Sequence, residues 1–151
     1  MSDAEKYGFG IHRMDGAIWR VVEARHLTPQ ENKGRHNVFV DAIDEQGQRV
    51  TGAMLWWGDT GGVVGKMSMD KPAGEPMCNV PVWRGQMVYV SMGDNSESVV
   101  GLHTMHGDEL GPNGEIWNSD GHHSFYIKFQ KFQKAGAVAV KKVCQCCGRE
   151  L

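Results

Sequence analysis

The residues best suited to chemistry in this sequence are the cysteines near its C-terminus. Cys144 and Cys147 form a Cys-x-x-Cys-Gly motif with Gly148, the spacing at which two thiolates hold one tetrahedral zinc ion, and Cys146 is the odd thiol. A structural zinc ion needs four ligands, so this motif is half of a site. The other ligands must come from Cys78, from His122 or His123, or from the same tail of a neighbouring subunit. A disulfide that links chains or anchors the tail, and reduced thiols without a partner, stay open as alternatives.

Histidines lie at both ends of a long segment, residues 104–121. His103 and His106 lie at its start, and His122 and His123 follow it. Imidazoles could therefore converge there as metal ligands or as hydrogen-bonding groups. An i, i+3 pair shares one face only in a helix, and this segment is predicted as a strand that runs into a loop. That favours structural roles for these histidines.

Trp117 is the candidate platform for a sugar. A flat indole stacks on the apolar face of a pyranose, while nearby Asn, Asp or His side chains bind its hydroxyls. A place in the core stays open as the alternative for each tryptophan of the chain. The predicted ligand-binding residues around this platform are Trp117, His103, His106, Asn118 and Asp120.

The element that organises the predicted fold is a β-hairpin. Two runs rich in β-branched and aromatic residues, 34–43 and 48–57, flank a polar turn that ends at Gly47. Val38 and Val40 fall on one face of the first run and Phe39 on the other, and a strand that is apolar on both faces is typical of a sheet interior.

Further short strands are predicted along the chain. Residues 17–25 form a first strand that pairs with the hairpin, residues 63–68 form another, residues 87–92 and 98–103 form a second hairpin, and residues 124–132 close the sheet. Thr28, Pro29 and Glu31 predict one capped helical turn. Prolines make residues 70–80 a surface crossover. The predicted fold is an all-β, antiparallel β-sandwich, Ig-like or prealbumin-like. It has an N-terminal arm (1–16), a sandwich domain (17–132) and a cysteine-containing tail (133–151).

Several of these segments carry a resemblance. The pattern from Asp44 to Ala53 resembles the turn of prealbumin-like and Cna-B-like modules. More of the chain resembles small carbohydrate-binding-like β-sandwich modules found beside bacterial cell-wall hydrolases and in phage-encoded proteins. The matching segments are residues 19–25, 34–57, 70–76 and 122–130. The resemblance implies a β-sandwich fold. It also implies a shared structural or binding role for His36 and His122, which stand where that family has histidines.

Composition and charge narrow the function. The chain has 151 residues, which suits one domain, and its net charge of −2 provides no cationic surface for nucleic acid or an anionic membrane. Neither a signal region nor a spanning apolar run is found, so we expect synthesis in the cytoplasm, no membrane insertion, and release by lysis or as part of an assembled particle.

Catalytic motifs are also missing from the sequence. It has no Gly-x-Ser-x-Gly, phosphate loop or dinucleotide fingerprint, so we predict no enzyme and no cofactor beyond the zinc alternative. The predicted function is a binding or assembly module, most consistent with a phage-type accessory structural protein on a virion surface, such as a decoration, collar or fibre component. Its partners would be other structural subunits or copies of itself, with host polysaccharide as a ligand. The alternatives are a free carbohydrate-binding or cell-wall-associated module and a small metalloenzyme.

Overall fold

Residues 1–133, the part of the chain that the computed structural model describes, form short strands and two very short helices. The helices are α1 (Asp3–Tyr7) and α2 (Pro29–Asn32). The strands, in chain order, are β1 (Gly10–His12), β2 (Trp19–His26), β3 (Asn37–Ile43), β4 (Ala53–Asp59), β5 (Val64–Met69), β6 (Cys78–Pro81), β7 (Val88–Ser91), β8 (Ser98–Leu102), β9 (Glu109–Leu110), β10 (Ile116–Asn118) and β11 (Phe125–Lys131).

Two main sheets enclose the core. One has the strand order β1-β8-β7-β4-β5 and the other β2-β11-β3-β6, while β9 and β10 form a separate two-stranded ribbon. The predicted β-sandwich is confirmed. Strand β11 lies between β2 and β3. It is antiparallel to β2 and parallel to β3, and the other ladders between the strands of residues 1–133 are antiparallel. Alternation along a strand does not specify its neighbours, which is why the sequence did not indicate this parallel pair.

The core lies between the two main sheets and follows the alternation in the sequence. The inward residues of β3, β7 and β11 and Leu55 of β4 are buried and expose at most 1% of their surface, while Ala53 and Trp57 of β4 pack against them and are partly buried. These are the positions at which strand periodicity places apolar side chains on one face. The residues predicted for this core, all confirmed, are Val38, Val40, Leu55, Val88, Val90, Phe125 and Ile127.

The predicted hairpin of residues 34–57 is wrong, although its turn forms. Gly47 has a φ of 81° and donates its N–H to the carbonyl of Asp44. The two strands then separate, because β3 joins one sheet and β4 the other, and a single bridge between Ile43 and Arg49 is the remaining ladder contact. Gly52, with a φ of 86°, turns the chain again before β4. The turn therefore crosses from one sheet to the other.

Two other segments differ from their predictions. Residues 78–80, predicted as the end of a surface crossover (70–80), belong instead to β6, which pairs with β3. Pro81 is compatible with this because β6 is an edge strand. Residues 1–16, predicted as an arm, instead contain α1 and β1 and contribute Tyr7 and Phe9 to the core. The strand predicted as the first one, residues 17–25, corresponds to β2. It was expected to pair with the hairpin but pairs with β11.

Residues 104–121, predicted as a loop, contain the β9–β10 ribbon. Several other local predictions hold. Strands β7 and β8 form the second hairpin, and β5 and β11 lie where strands were predicted. Helix α2 carries the complete capping box, in which the Thr28 hydroxyl accepts from the N–H of Glu31 and the Glu31 carboxylate accepts from the N–H of Thr28. Within residues 1–133, neither helix has the length or apolar character required to cross a bilayer.

Candidate functional site

An open groove of about 650 Å³ lies between helix α2 and strand β10. Its volume is within the range of protein sites for small organic ligands, roughly 300–1,000 Å³. It combines apolar surface with an amide and an ammonium group. The lining residues are Gln30, Lys33, Gly34, Ile116 and Trp117.

Trp117 is positioned by an irregular strand and by a glycine. The register between β9 and β10 shifts between Ile116 and Asn118, so Trp117 sits at a bulge, a feature that re-aims side chains. Its indole ring lies against Gly111, where a Cβ atom would stand 2.6 Å from a ring carbon. A Cβ there would also stand 2.7 Å from Oε1 of Glu115, so a larger residue at position 111 requires the ring and this carboxylate to move.

The wall opposite Trp117 is held by a buried asparagine. The Nδ2 atom of Asn32 lies 2.9 Å from the carbonyl of Arg35, 2.8 Å from Oδ1 of Asn118 and 3.0 Å from the carbonyl of His122. Asn32 and Asn118 are both fully buried. Asn118, predicted to contact ligand, therefore ties α2 to β10 from within the protein.

His36 and His122, the two histidines implied by the resemblance, lie together beside the groove. Their ring centroids are 5.9 Å apart, and the His36 ring is 4.8 Å from that of Trp83, a residue with 62% of its surface exposed. Nδ1 of His122 donates to the carbonyl of Gly34, a groove residue, at 3.0 Å. The structure thus places a small aromatic patch, formed by His36, Trp83 and His122, next to the groove.

The other predicted residues around Trp117 are directed elsewhere. Asp120 is exposed and forms an ion pair with Arg84 at 2.9 Å. His103 and His106 stack at a centroid separation of 4.3 Å, and the His106 ring faces the interior near Tyr7 and His123. Burial lowers the pKa of His106 to about 4. The groove and these two histidines are therefore separate features.

A second cluster, formed by His26, Glu109 and His123, lies inside the molecule near His106. One ligand atom from each residue lies within 4.8 Å of the others, which is close enough for the three to hold one metal ion. Burial lowers the pKa of His26 to about 4 and also lowers the pKa of His123, so both imidazoles are neutral at neutral pH. His26 and Glu109 were not among the predicted site residues, because they are far apart in sequence and belong to no motif.

The predicted cysteine site is only partly within the described residues. Cys144, Cys146 and Cys147 lie outside residues 1–133. Cys78 is buried in the core on β6, and burial raises the pKa of its thiol to about 12. Cys78 therefore lies inside the sandwich core, and its role as a zinc ligand together with the tail stays a prediction.

Comparisons with known proteins leave the function open. No protein-family model and no curated protein matches the chain. Among solved structures, the chain is similar to the pilus adhesin SpaC from Lactobacillus rhamnosus GG in its open conformation, with 17% sequence identity and a TM-score of 0.39. The match covers 67% of this chain and 15% of the adhesin chain. Similarity at this level does not indicate what the chain binds, and the resemblance to cell-wall and phage modules stays a prediction.

Proposed function

We propose that this protein is a non-enzymatic module that binds a polysaccharide in the groove beside Trp117. The observation that carries the proposal is an indole ring that packs against Gly111 and lines an open groove of about 650 Å³. Stacking on an aromatic ring supplies affinity for the apolar face of a sugar, and polar side chains at the rim select its hydroxyls. Gln30 and Lys33 are the polar side chains available along this groove.

A polymer suits this groove better than an isolated sugar. The groove is open to solvent, and the carbonyl of its lining residue Gly34 accepts from His122, a member of the neighbouring patch of His36, Trp83 and His122. A chain of sugars can therefore lie along the surface and contact both places, whereas an enclosed pocket would select a single unit. Contacts spread over several sugars raise the affinity of individually weak sites.

The groove is also preformed. Helix α2 is fixed by its capping box, and Asn32 joins α2 to β10 through a buried hydrogen bond to Asn118. A site whose side chains are already held in place loses little conformational entropy on binding. This supports a groove that binds ligand without a large rearrangement.

The test is binding of the full chain to a glycan array, followed by titration with the best polysaccharide. Trp117→Ala should weaken binding by roughly tenfold, using 0.5–1.5 kcal/mol for one aromatic contact. Trp56→Ala is the matched control, because Trp56 lies on the outer face of the five-stranded sheet, away from the groove. A blank array, or Trp117→Ala binding as tightly as the unmodified chain, would refute the proposal.

Assembly into a larger particle is a second candidate function, favoured by the outer face of the same five-stranded sheet. The register places Met54, Val64 and Tyr89 on that face, and they expose 44%, 69% and 38% of their surface. Strand β5 is the edge of the sheet and is able to pair with another chain. A virion surface, reached after synthesis in the cytoplasm, is the setting that the resemblance suggests for such a role.

Light scattering after size-exclusion chromatography tests assembly. If this face holds subunits together, Val64→Lys should convert an oligomer to a monomer. Lys33→Glu, a change in the Trp117 groove, should leave the oligomer intact. A monomeric unmodified chain at high concentration would exclude self-assembly through β5. Glycan binding by that monomer would then leave the free binding module as the function.

A further inference from the structure

We propose that His26, Glu109 and His123 bind one divalent transition-metal ion, such as Zn²⁺, beneath the N-terminal helix α1. This site is separate from the cysteine motif and from the Trp117 groove, and it does not depend on the proposed function. Two imidazoles and one carboxylate form a ligand set found in zinc sites that have three protein ligands and an open fourth position.

The three ligand atoms have the spacing that such an ion requires. Nε2 of His26 lies 2.8 Å from Nδ1 of His123, and these atoms lie 3.8 Å and 3.7 Å from Oε1 of Glu109. Metal–ligand bonds of about 2.0–2.1 Å in a tetrahedron place the ligand atoms roughly 3.3 Å apart. The two imidazoles must separate by about half an ångström and the carboxylate must approach by a similar amount, which are side-chain adjustments.

The tautomer of His123 is already the one that a metal site needs. Its Nε2 lies 3.0 Å from the carbonyl of Gly107, so Nε2–H donates and the lone pair of Nδ1 faces the cluster. In the metal-free protein, Nε2–H of His26 donates to that lone pair. Metal binding moves the His26 proton from Nε2 to Nδ1 of the same ring through solvent, so no net proton is released.

Charge favours a cation at this place. His26 and His123 have side chains exposed by 4% and 0%, and the Glu109 side chain is exposed by 22%. In residues 1–133, the ion pairs of Glu109 are with these two histidines and include no lysine or arginine. A divalent ion would supply the positive charge that no lysine or arginine among these residues brings to the partly buried carboxylate.

An outer set of hydrogen bonds holds the ligands in orientation. Asn118 donates to Oε1 of Glu109 at 2.9 Å, Tyr7 donates its hydroxyl to Oε2, and the carbonyl of Gly107 accepts from His123. Metal ligands in proteins are oriented by this kind of outer hydrogen bonding. Three protein ligands leave a fourth position for water or for a further side chain.

His106 borders the cluster and has an unused nitrogen. Its ring centroid lies 5.2 Å from that of Tyr7 and 5.3 Å from that of His123. Its Nε2 is buried and makes no hydrogen bond to any described residue. A buried imidazole nitrogen without a partner needs one, and a water molecule on the metal would provide it.

Helix α1 covers the site and would be tied down by the ion. Tyr7 stacks on His26 with 3.6 Å between ring centroids, and the Asp3 carboxylate accepts from the N–H of His26 at 2.8 Å. A metal on His26 therefore links α1, the end of β2, the β9–β10 ribbon and the start of β11. The ion acts as a staple that joins the N-terminal residues to the sandwich.

The experiment uses the full chain with Cys144, Cys146 and Cys147 replaced by serine, so that thiolates do not compete. We expect one Zn²⁺ per chain by elemental analysis after dialysis, and a rise in Tm on adding Zn²⁺, because an ion that binds only the folded state stabilises it. Co²⁺ should give visible d–d bands of a four-coordinate site with no thiolate charge-transfer band. Glu109→Gln should weaken Zn²⁺ binding at least about 100-fold, and His12→Gln, at an exposed histidine on β1, should leave it unchanged.

A second measurement needs no change in the cluster. Zn²⁺ titration followed by ¹⁵N signals of the histidine rings should shift those of His26 and His123 and leave that of His12 in place. No bound zinc in the serine-substituted chain, or equal affinity in folded Glu109→Gln, or ring signals of His26 and His123 that do not respond, would overturn the proposal.

Discussion

Tyr7 stacks its ring on the ring of His26, with 3.6 Å between the centroids and 8° between the planes. The Tyr7 hydroxyl also donates to Glu109, and burial together with that carboxylate raises the pKa of the hydroxyl. A residue of the first helix therefore contacts both the end of β2 and the β9–β10 ribbon. Tyr7 and Phe9, together with the β1–β8 ladder, make the N-terminal residues part of the folded domain.

Tyr7 provides the first prediction. Tyr7→Phe keeps the stacked ring but removes the hydrogen bond to a charged group, so the free energy of unfolding should fall by about 1.5–3 kcal/mol. Tyr7→Ala also removes the ring and should cost about 3–5 kcal/mol. Urea unfolding measures both, and Tyr89→Phe, a change at an exposed tyrosine, is the control. Unchanged stability in Tyr7→Ala would mean that α1 does not pack as described.

Glu97 gives the second prediction. Its carboxylate accepts from Arg13 at 2.8 Å, from the N–H of Val21 at 3.0 Å and from the N–H of Met14 at 3.1 Å. Burial opposes ionisation of this side chain, but the three hydrogen bonds outweigh it, so the pKa of Glu97 lies below its ordinary value of 4.5. The ionised carboxylate of Glu97 is therefore more stable in the folded state than in the unfolded state.

The sign of the pH effect follows from that difference. The stability that Glu97 contributes is fully present above the ordinary pKa and is lost as pH falls through the lowered folded-state pKa. Glu97→Gln should thus be less stable than the unmodified chain at about pH 7, and the gap should narrow as the pH falls below about 4. Urea unfolding across that pH range measures the gap. Glu5→Gln, at an exposed position, should show no comparable gap, and a gap for Glu97→Gln that widens in acid would contradict this account.

The third prediction tests whether the ligand needs the Trp117 ring in its present position, by moving the ring without removing it. Gly111→Ala places a Cβ 2.6 Å from a carbon of the indole ring, so the ring should move away from its present position. Polysaccharide binding should weaken, and the fold should persist. Gly107→Ala is the matched control, because a Cβ there meets nothing within 4 Å. Equal binding by the two variants would show that the ring orientation does not matter for the ligand.

The fourth prediction concerns the cysteines outside the described residues. If Cys144 and Cys147 bind zinc, elemental analysis of the unmodified chain should find more zinc than in the form with Cys144, Cys146 and Cys147 replaced by serine, and Cys147→Ser should lose the difference. If they form disulfides, non-reducing gels should show linked chains that reductant separates. Fully titratable thiols together with equal zinc in both forms would leave reduced, unliganded cysteines as the remaining alternative.

Sequence patterns predicted the strands better than their partners. Alternation identified Val38, Val40 and Phe125 as core residues because burial on one face imposes a period of two. The same signal does not specify which strands pair, and the turn at Gly47 has the same local chemistry whether it closes a hairpin or crosses between sheets. The crossing between β3 and β4 and the central place of β11 both depend on long-range packing.

In the candidate sites too, local sequence patterns were readable and long-range contacts were not. Trp117 was found from a local pattern, a tryptophan among polar residues in a long loop, and it does line a groove. The cluster of His26, Glu109 and His123 was not found, because its members come from three separate elements and only the tertiary fold brings them together. No spacing rule applies to ligands of that kind.

The place of β11 between β2 and β3 also sets an order of events during synthesis. Strands β2 and β3 emerge from the ribosome early, and β3 can pair with β6 once residue 81 has been made, but β2 has no ladder partner and β3 lacks its second one until β11 is complete at residue 131. Nearly the whole chain must be available before this sheet closes, and pairing between strands distant in sequence is slow. During that interval the edges of β2 and β3 are open to other chains, a period when a chaperone would protect the nascent protein.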